Sequence, residues 1–192
     1  MDIRTYLHFL NIAEKLKCNT RHSYTSSGRK ESVAEHSWRL ALMAYLVGDE
    51  FPDVNMDKVI CMCLFHDMGE AVTGDIPCFE KTDQDEKTED SAVKRLLAEL
   101  PEPCRGEVGQ LFAEMGELQT KEAKLYKALD KLEALIQHNE ADISTWIPLE
   151  YELQMTYGTK ECEFSEYLKK LRDAVREDSR DKIKAADPKA GS

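Results

Sequence analysis

Apolar residues recur at intervals of three or four along most of this 192-residue chain, and this spacing constrains the fold more than any other feature. At the N-terminus they form one stripe, which consists of Ile3, Tyr6, Leu7, Leu10, Ala13 and Leu16. Side chains at this spacing share one face of a helix. Alternating apolar and polar runs, which would indicate strands, are not evident. The pattern predicts an all-α protein, a bundle of seven or eight helices.

Local signals predict where these helices begin and end. Asp2 can cap the first helix, and Ser32-Val-Ala-Glu35 is a capping-box pattern that opens a second helix ending near Gly48. The polar composition of residues 18–31 and the high charge of residues 80–92 predict loops. Further helices are expected at about 56–71, 105–116, 120–139, 145–157 and 161–184. Another helix follows the charged residues and ends near Leu100.

The length suits one domain, expected over residues 1–184, with a disordered tail at 185–192. No apolar run approaches the roughly 18 residues that a membrane span needs. The N-terminal segment lacks the separate basic and apolar regions of a signal peptide. Its six cysteines are scattered and form no C-x-x-C pair, which disfavours a thiolate zinc site and favours a reducing, cytoplasmic location.

The formal net charge is −11, which argues against a nucleic-acid partner, because phosphate backbones are bound by clustered Lys and Arg. A small phosphorylated ligand remains compatible with this charge. One metal ion and one or two Arg side chains can reverse the local potential in a pocket.

The stretch from Phe65 to Glu70 carries the strongest chemical signal. On a helix, His66, Asp67 and Glu70 lie on neighbouring rows of a face that begins apolar. Burying these groups together is costly unless something compensates them, and a divalent cation would do so. The alternative is a structural ion pair on a solvated helix.

Two further residues extend this set. His36 lies between Val33 and Leu40 on the apolar side of the second helix, where a core histidine is the alternative interpretation. Asp130 is flanked by apolar residues on a helical segment, where a surface ion pair with Lys127 or Lys131 is the alternative. Together the four residues offer nitrogen and oxygen ligands that suit Mn, Co, Fe, Ni or Zn, with Mg also compatible.

The order His36, His66-Asp67, Asp130 resembles the H…HD…D signature of HD-domain metal-dependent phosphohydrolases. The subgroup that it most resembles contains the YfbR-type bacterial 5′-deoxynucleotidases and their eukaryotic HD-domain relatives. The matching segments are Glu31-Ser-Val-Ala-Glu-His36-Ser, His66-Asp67-x-x-Glu70, Thr73-Gly-Asp75-Ile-Pro77 and Glu122-Ala-Lys124…Leu129-Asp130-Lys-Leu-Glu133. They run from about residue 5 to residue 160.

The resemblance implies an all-α HD-domain bundle with one divalent metal ion held by His36, His66, Asp67 and Asp130. It implies catalytic roles for Glu70 and Asp75, with Asp75 also contacting the substrate sugar. It further implies that Arg21, His22 and Glu114 bind substrate. From the residues alone, Asp75 is explained equally by turn chemistry and Arg21 by a solvated loop.

One position departs from the family pattern. The resemblance leads us to expect a Trp beside the phosphate-binding Arg, where it packs against the sugar and helps to reject a 2′-hydroxyl. This chain has His22, which is smaller and can form hydrogen bonds, although Tyr24 could supply the packing. We therefore hypothesise reduced selectivity for deoxyribo over ribo substrates.

The leading interpretation is a 5′-nucleotidase that acts on (deoxy)ribonucleoside 5′-monophosphates. The alternatives are the same site acting on another phosphorylated substrate, such as a nucleoside triphosphate or a cyclic nucleotide, and a non-catalytic metal-stabilised interaction module. The resemblance also makes a homodimer plausible, with no membrane partner. The stripe Trp146, Ile147, Leu149, Leu153 and Tyr157 is interpreted as core rather than interface.

Overall fold

The computed structural model of the chain describes residues 1–186, most of which are helical. This range contains eight α-helices of nine or more residues and two of four residues, which confirms the all-α prediction. The helices are α1 (Ile3–Glu14), α2 (Val33–Leu46), α3 (Met56–Phe65), α4 (Glu70–Thr73), α5 (Asp83–Ala98), α6 (Cys104–Glu117), α7 (Lys121–Glu140), α8 (Pro148–Thr156), α9 (Thr159–Cys162) and α10 (Glu166–Ala186). None of the helices within residues 1–186 combines the length and the apolar character that a membrane span requires.

The chain forms two compact units. The first comprises Met1–His22 and Glu31–Tyr126, and the second comprises Ser23–Lys30 and the chain from Lys127 onward. The expectation of a single domain over residues 1–184 stays a prediction. A disordered tail was expected over residues 185–192, but α10 extends to Ala186. Residues 187–192 lie outside the described range.

The N-terminal caps of α1 and α2 form as the sequence predicts. The Asp2 carboxylate accepts a hydrogen bond from the Thr5 amide at 3.0 Å, which caps α1. At the start of α2, the Glu35 carboxylate accepts from the Ser32 amide at 2.9 Å, and the Ser32 hydroxyl accepts from the Glu35 amide at 3.3 Å. These reciprocal bonds confirm the capping box.

The helix expected over residues 56–71 is interrupted, which corrects the prediction. α3 ends at Phe65, and α4 begins at Glu70 after a tighter turn with hydrogen bonds between residues three apart. Gly69 lies in this turn, where a Cβ atom would come within 2.7 Å of Glu89 Cγ on α5. The absence of a side chain at Gly69 therefore allows α5 to approach closely.

Two segments predicted as loops contain regular structure. Within residues 18–31, Thr20–Tyr24 (β1) and Lys30–Ser32 (β2) form a two-stranded sheet, too short and polar to show an alternating pattern. The charged residues 80–92 include most of α5, whose N-terminus is capped by reciprocal hydrogen bonds between Thr82 and Asp85. Its charges lie on a solvated helix face, so they do not indicate a loop.

The first unit has an apolar core around the segment that joins α3 and α4. Its buried members come from four separate segments, and they are Leu16, Val33, Met68, Ala71 and Leu96. Because Met68 and Ala71 are anchored in this core, the chain around them is held in place. The residues between and beside them, His66, Asp67 and Glu70, thereby gain defined positions.

In the second unit, the helix predicted over residues 161–184 is also divided. Gly158 adopts a positive φ of 75° between α8 and α9, and α10 begins only at Glu166. The apolar stripe at α8 is core only in part. Trp146 is buried, Ile147, Leu153 and Tyr157 are half-buried, and Leu149 is exposed.

Candidate metal centre and phosphate site

Two histidines and one carboxylate converge in the first unit. His36 lies on α2, and His66 and Asp67 follow directly after α3. The Asp67 Oδ2 atom is 3.0 Å from His66 Nε2 and 3.9 Å from His36 Nε2. One ligand atom from each of the three residues lies within 4.8 Å of the others. The three side chains therefore present two nitrogens and one oxygen to the same small volume.

A hydrogen bond orients the His66 ring. Its Nδ1 lies 2.9 Å from the main-chain carbonyl oxygen of Cys63, one turn earlier. Since a carbonyl only accepts, Nδ1 donates this hydrogen bond, and Nε2 is the ring nitrogen that faces Asp67. Metal-binding histidines are commonly oriented by a hydrogen bond of this kind.

Arg21 from β1 joins this group. Its Nη1 is 3.8 Å from Asp67 Oδ2, and its Nε is 3.3 Å from Glu31 Oε2. Burial by itself would raise the pKa of Asp67, but His66, His36 and Arg21 hold that pKa well below its usual range. Asp67 therefore remains ionised, as a metal ligand must be.

Glu70, at the start of α4, is buried and differs from Asp67 in its surroundings. Its Oε2 atom is buried without a hydrogen-bond partner among residues 1–186. Burial, together with repulsion from Asp67, Asp75 and Glu89, raises its pKa to about 10. A carboxyl with this pKa holds its proton at neutral pH, so it is available for proton transfer.

Asp75 follows Gly74, whose φ of 77° turns the chain after α4. Burial raises the pKa of Asp75, while the positive charge of Arg21 opposes that rise. Asp75 thus lies within electrostatic range of Arg21, Asp67 and His36. Turn formation explains its neighbour Gly74, but it does not explain why Asp75 is half-buried among charged groups.

His22 is half-buried beside Arg21 on β1, and its ring packs edge-on against Phe79 with 5.6 Å between centroids. An aromatic contact therefore accompanies the position where the family pattern has Trp. Phe79 did not stand out in the sequence, because it lies in a charged segment without periodicity.

Glu114 has a different environment. Its carboxylate accepts hydrogen bonds from Lys58 Nζ at 3.0 and 3.2 Å and from the Thr120 hydroxyl at 2.5 Å. Within residues 1–186, no hydrogen bond or ion pair connects it to His36, His66 or Asp67. These bonds give Glu114 a structural role in joining α6 to α3, and its role in substrate binding stays a prediction.

Asp130 lies on α7, in the part of the chain that belongs to the second unit. Its Oδ2 accepts a hydrogen bond from Lys127 Nζ at 2.8 Å, the ion pair that the sequence offered as an alternative. Its role as a fourth metal ligand stays a prediction.

The chemistry of the first-unit group fits a divalent cation. Imidazole nitrogen and carboxylate oxygen suit Mn, Fe, Co, Ni and Zn. His36 is fully buried, and the side chains of His66 and Asp67 are only 5% and 14% exposed. Two imidazoles and a carboxylate have few reasons to cluster away from water unless an ion compensates them.

Sequence comparison places the chain in a family. The profile of the HD domain family matches residues 13–172, so the chain belongs to the HD domain family. The human 5′-deoxynucleotidase HDDC2 is 35% identical over 141 residues, which cover 71% of this chain and 68% of the human protein. The Dictyostelium discoideum 5′-deoxynucleotidase HDDC2 is 33% identical over 147 residues, covering 70% and 76%.

Solved structures agree with this family. A predicted metal-dependent phosphohydrolase from Magnetospirillum magnetotacticum superimposes with a TM-score of 0.82 and 28% identity, covering 94% of both chains. A conserved hypothetical protein from Pyrococcus furiosus gives a TM-score of 0.69 at 28% identity, covering 91% of this chain and 99% of its own. The helical fold and the resemblance to HD-domain phosphohydrolases are confirmed.

The structure adds one acidic residue to the site that the sequence did not single out. Glu31 is 2% exposed, and its carboxylate pairs with Arg21. A signal was available, because Glu31 directly precedes the capping box of α2 and is therefore held at the base of the helix that carries His36. Its importance depends on the short β1–β2 pairing, which was not expected.

Proposed function

We propose that this chain is a metal-dependent 5′-nucleotidase that hydrolyses (deoxy)ribonucleoside 5′-monophosphates to a nucleoside and phosphate. The observation that carries the proposal is the convergence of His36, His66 and Arg21 on the Asp67 carboxylate within the first unit. A metal ion and a guanidinium beside the same carboxylate could both bind the oxygens of a phosphate ester. Relatives named as 5′-deoxynucleotidases, 33–35% identical over most of the chain, support the same reaction.

His36, His66 and Asp67 would hold the ion, with Asp130 as the proposed fourth ligand. When bound, a divalent ion supplies Lewis acidity toward a phosphoryl oxygen and increases the acidity of water. The support for Asp130 is its place in the H…HD…D order, and its carboxylate already attracts one cation, Lys127. The nitrogen and oxygen ligands are compatible with Mn, Co, Fe, Ni, Zn or Mg.

Arg21 binds the phosphate in this proposal. Its guanidinium is held between Glu31 and Asp67, so its position is defined before substrate arrives. Planar N–H groups can donate two parallel hydrogen bonds to phosphate oxygens. Glu31 keeps the guanidinium from turning away, which makes Glu31 a positioning residue.

Glu70 and Asp75 move protons and orient the substrate. With a pKa of about 10, Glu70 can hold a proton and pass it to the leaving sugar oxygen. Positive charge near Glu70 lowers that pKa, and the ionised form can then orient or deprotonate the attacking water. Asp75 is half-buried within range of Arg21, where it can accept a hydrogen bond from a sugar hydroxyl.

His22 carries the proposed difference in selectivity. Its ring is fixed against Phe79 and is smaller than the Trp of the family pattern, so it leaves more room for a 2′-hydroxyl. We expect similar rates for dAMP and AMP, within about tenfold, which corresponds to a difference of no more than about 1.4 kcal/mol in the free energy of activation. A dAMP preference above about a hundredfold on the same scale would contradict this.

A metal and substrate panel tests the function. Metal-stripped protein is loaded in turn with Mn, Co, Fe, Ni, Zn or Mg, and released phosphate is measured. The substrates are nucleoside monophosphates, a triphosphate, a cyclic nucleotide and a sugar phosphate. We expect metal-dependent release from the monophosphates. Release from another substrate alone would favour a different phosphohydrolase, and metal-dependent stabilisation without release would favour an interaction module.

We further propose a cytoplasmic homodimer. All six cysteines are free, which suits a reducing compartment. On α2, the apolar side chains Trp38, Tyr45 and Leu46 are 63–70% exposed, and a second copy could cover them. Sedimentation analysis should give twice the mass of one chain, and Tyr45→Lys should reduce it to one chain. A monomeric unmodified protein would contradict the dimer.

A further inference from the structure

A cavity of about 560 Å³ in the second unit is lined by a concentration of positive charge. Its cationic residues, Lys169, Arg172 and Arg176, follow one another on α10 at intervals of three and four. Residues at this spacing share one helix face. Glu163 and Asp173 also line the cavity, leaving an excess of one positive charge in a chain whose net charge is −11.

Arg172 is the buried member of this group, with only 1% of its surface exposed. Its Nε and Nη2 donate hydrogen bonds to the carbonyl oxygens of Tyr157 and Gln154, both at 2.8 Å. Both acceptors are neutral main-chain groups at the end of α8. Its Nη1 is buried without a hydrogen-bond partner among residues 1–186. Neither of its two hydrogen bonds thus goes to a carboxylate, and Asp173 acts on the guanidinium only through its charge.

The surroundings of Arg172 disfavour its charged form. Burial and the nearby charge of Arg176 together lower the pKa of Arg172 to about 10, although Cys162 and Asp173 oppose this shift. Burial also raises the pKa of the Cys162 thiol to about 11, so this neighbour remains neutral. The carboxylates nearby are engaged at the surface, where Asp173 pairs with Arg176 and Glu166 pairs with Lys169. A buried cation beside a like charge would be stabilised by an anion.

We propose that the cavity formed by Lys169, Arg172 and Arg176 binds a phosphate group, either as inorganic phosphate or as part of a phosphomonoester. A guanidinium offers planar donors that match phosphate oxygens, and Lys169 adds a compact charge. The hydroxyl of Thr159, which accepts from Arg176 Nη2 at 3.4 Å, lines the same cavity. The volume exceeds that of phosphate and lies in the usual range for small-molecule sites, so an organic group can also enter.

Calorimetric titration of the full chain tests this proposal. The titrated protein carries Arg21→Gln together with Asp67→Asn and is stripped of metal, so that phosphate bound at Arg21 or at the candidate metal centre does not contribute. Inorganic phosphate and AMP are titrated separately. We expect one bound phosphate per chain, and at least tenfold weaker binding when Lys169→Gln and Arg176→Gln are combined. Equal affinity for the two ligands identifies the phosphate as the recognised group, and tighter AMP binding shows that the organic part also enters the cavity.

The matched control combines Lys170→Gln with Arg180→Gln. These residues are exposed on the same helix and do not line the cavity, so this variant loses the same charge without affecting the proposed site. We expect it to bind phosphate as the parent does. Absence of binding for both ligands, or equal weakening in the control, would overturn the proposal. If the double variant does not fold, the exposed Lys169→Gln is compared with Lys170→Gln by the same titration.

Discussion

The two units bury charged groups in different ways. In the first, His36, His66, Asp67 and Glu70 lie together, and the Glu70 Oε2 has no partner within residues 1–186. In the second, Arg172 is fully buried, but two of its three guanidinium nitrogens donate to main-chain carbonyls at the end of α8. The first arrangement leaves groups available for a ligand and chemistry. The second mainly holds helices together, leaving one nitrogen for a proposed ligand.

This contrast predicts that substitutions in the first group mainly affect activity, and substitutions at Arg172 mainly affect stability. Buried groups satisfied by the protein contribute to folding. Buried groups that have no partner until a ligand binds contribute to binding and catalysis, and they often lower the stability of the fold. The variants below test this difference.

The largest effect is expected for His66→Ala. It removes a proposed metal ligand whose Nε2 is directed by the Cys63 carbonyl. We expect kcat/KM for dAMP to fall by roughly 10⁴-fold, since metal assistance supplies several kcal/mol. Bound metal, measured by elemental analysis, should fall with it. His8→Ala, at an exposed histidine on α1, is the control and should retain both. Full metal content with normal turnover in His66→Ala would remove His66 from the site.

Glu70→Gln is expected to lower kcat by about 10³-fold, within the range for loss of a general acid or base. The amide keeps the size of the side chain but cannot transfer a proton. Because Glu70 is buried and holds its proton at neutral pH, the stability of the variant should change little. The control is Glu107→Gln, at an exposed position on α6. Unchanged turnover in Glu70→Gln would disprove the proposed proton-transfer role.

Arg172→Ala is expected to lower the free energy of unfolding by about 3 kcal/mol, because two hydrogen bonds from a charged donor are lost. Urea denaturation measures this change. The exposed Lys170→Ala on the same helix should change stability by less than about 0.5 kcal/mol. Equal effects of the two substitutions would mean that Arg172 does not hold α8 and α10 together.

Arg21→Lys is expected to raise KM for nucleoside monophosphates by about 10–30-fold, because Lys cannot reproduce the planar pair of donors. The effect on kcat should be smaller if Arg21 binds the phosphate in both ground and transition states. Arg29→Lys, at an exposed position in the β1–β2 connection, is the matched control. A KM that is the same in both variants would exclude the proposed contact.

The smallest effect concerns pH. Glu161 accepts a hydrogen bond from Lys131 Nζ at 2.7 Å, and although burial opposes ionisation, this bond lowers the pKa of Glu161 below 4.5. The pair therefore stabilises the fold above that pH, and its contribution is lost as pH falls through the lowered pKa. Comparing Glu161→Gln with the parent from pH 7 to 3 should show less than about 1 kcal/mol, disappearing at the acid end. A difference that grows toward low pH would contradict the assigned direction.

Some parts of the structure follow from local sequence alone. The Asp2 cap, the Ser32–Glu35 capping box and the position of His36 inside α2 were all predictable, because each depends on residues within one or two turns. The bounds of α6 and α7 also follow the apolar periodicity closely. The family pattern identified the candidate ligands by their order, without their distances.

Other parts depend on contacts between distant segments. Gly69 allows α5 to approach closely after the break at Phe65, and the pairing of β1 with β2 brings Arg21 to Glu31. Neither feature has a local signal. The charged residues 80–92 were misleading, because a solvated helix face and a loop have the same composition.

The sequence by itself determined that this is a helical HD-domain protein with His36, His66, Asp67 and Asp130 in the expected order. Helix periodicity and capping act over a few residues, so a single sequence records them. Only the tertiary structure decided that His36, His66 and Arg21 meet at Asp67 and that Glu70 is buried with a raised pKa. Distances and desolvation arise from the packing of remote segments, and a pKa depends on what surrounds a group rather than on its identity.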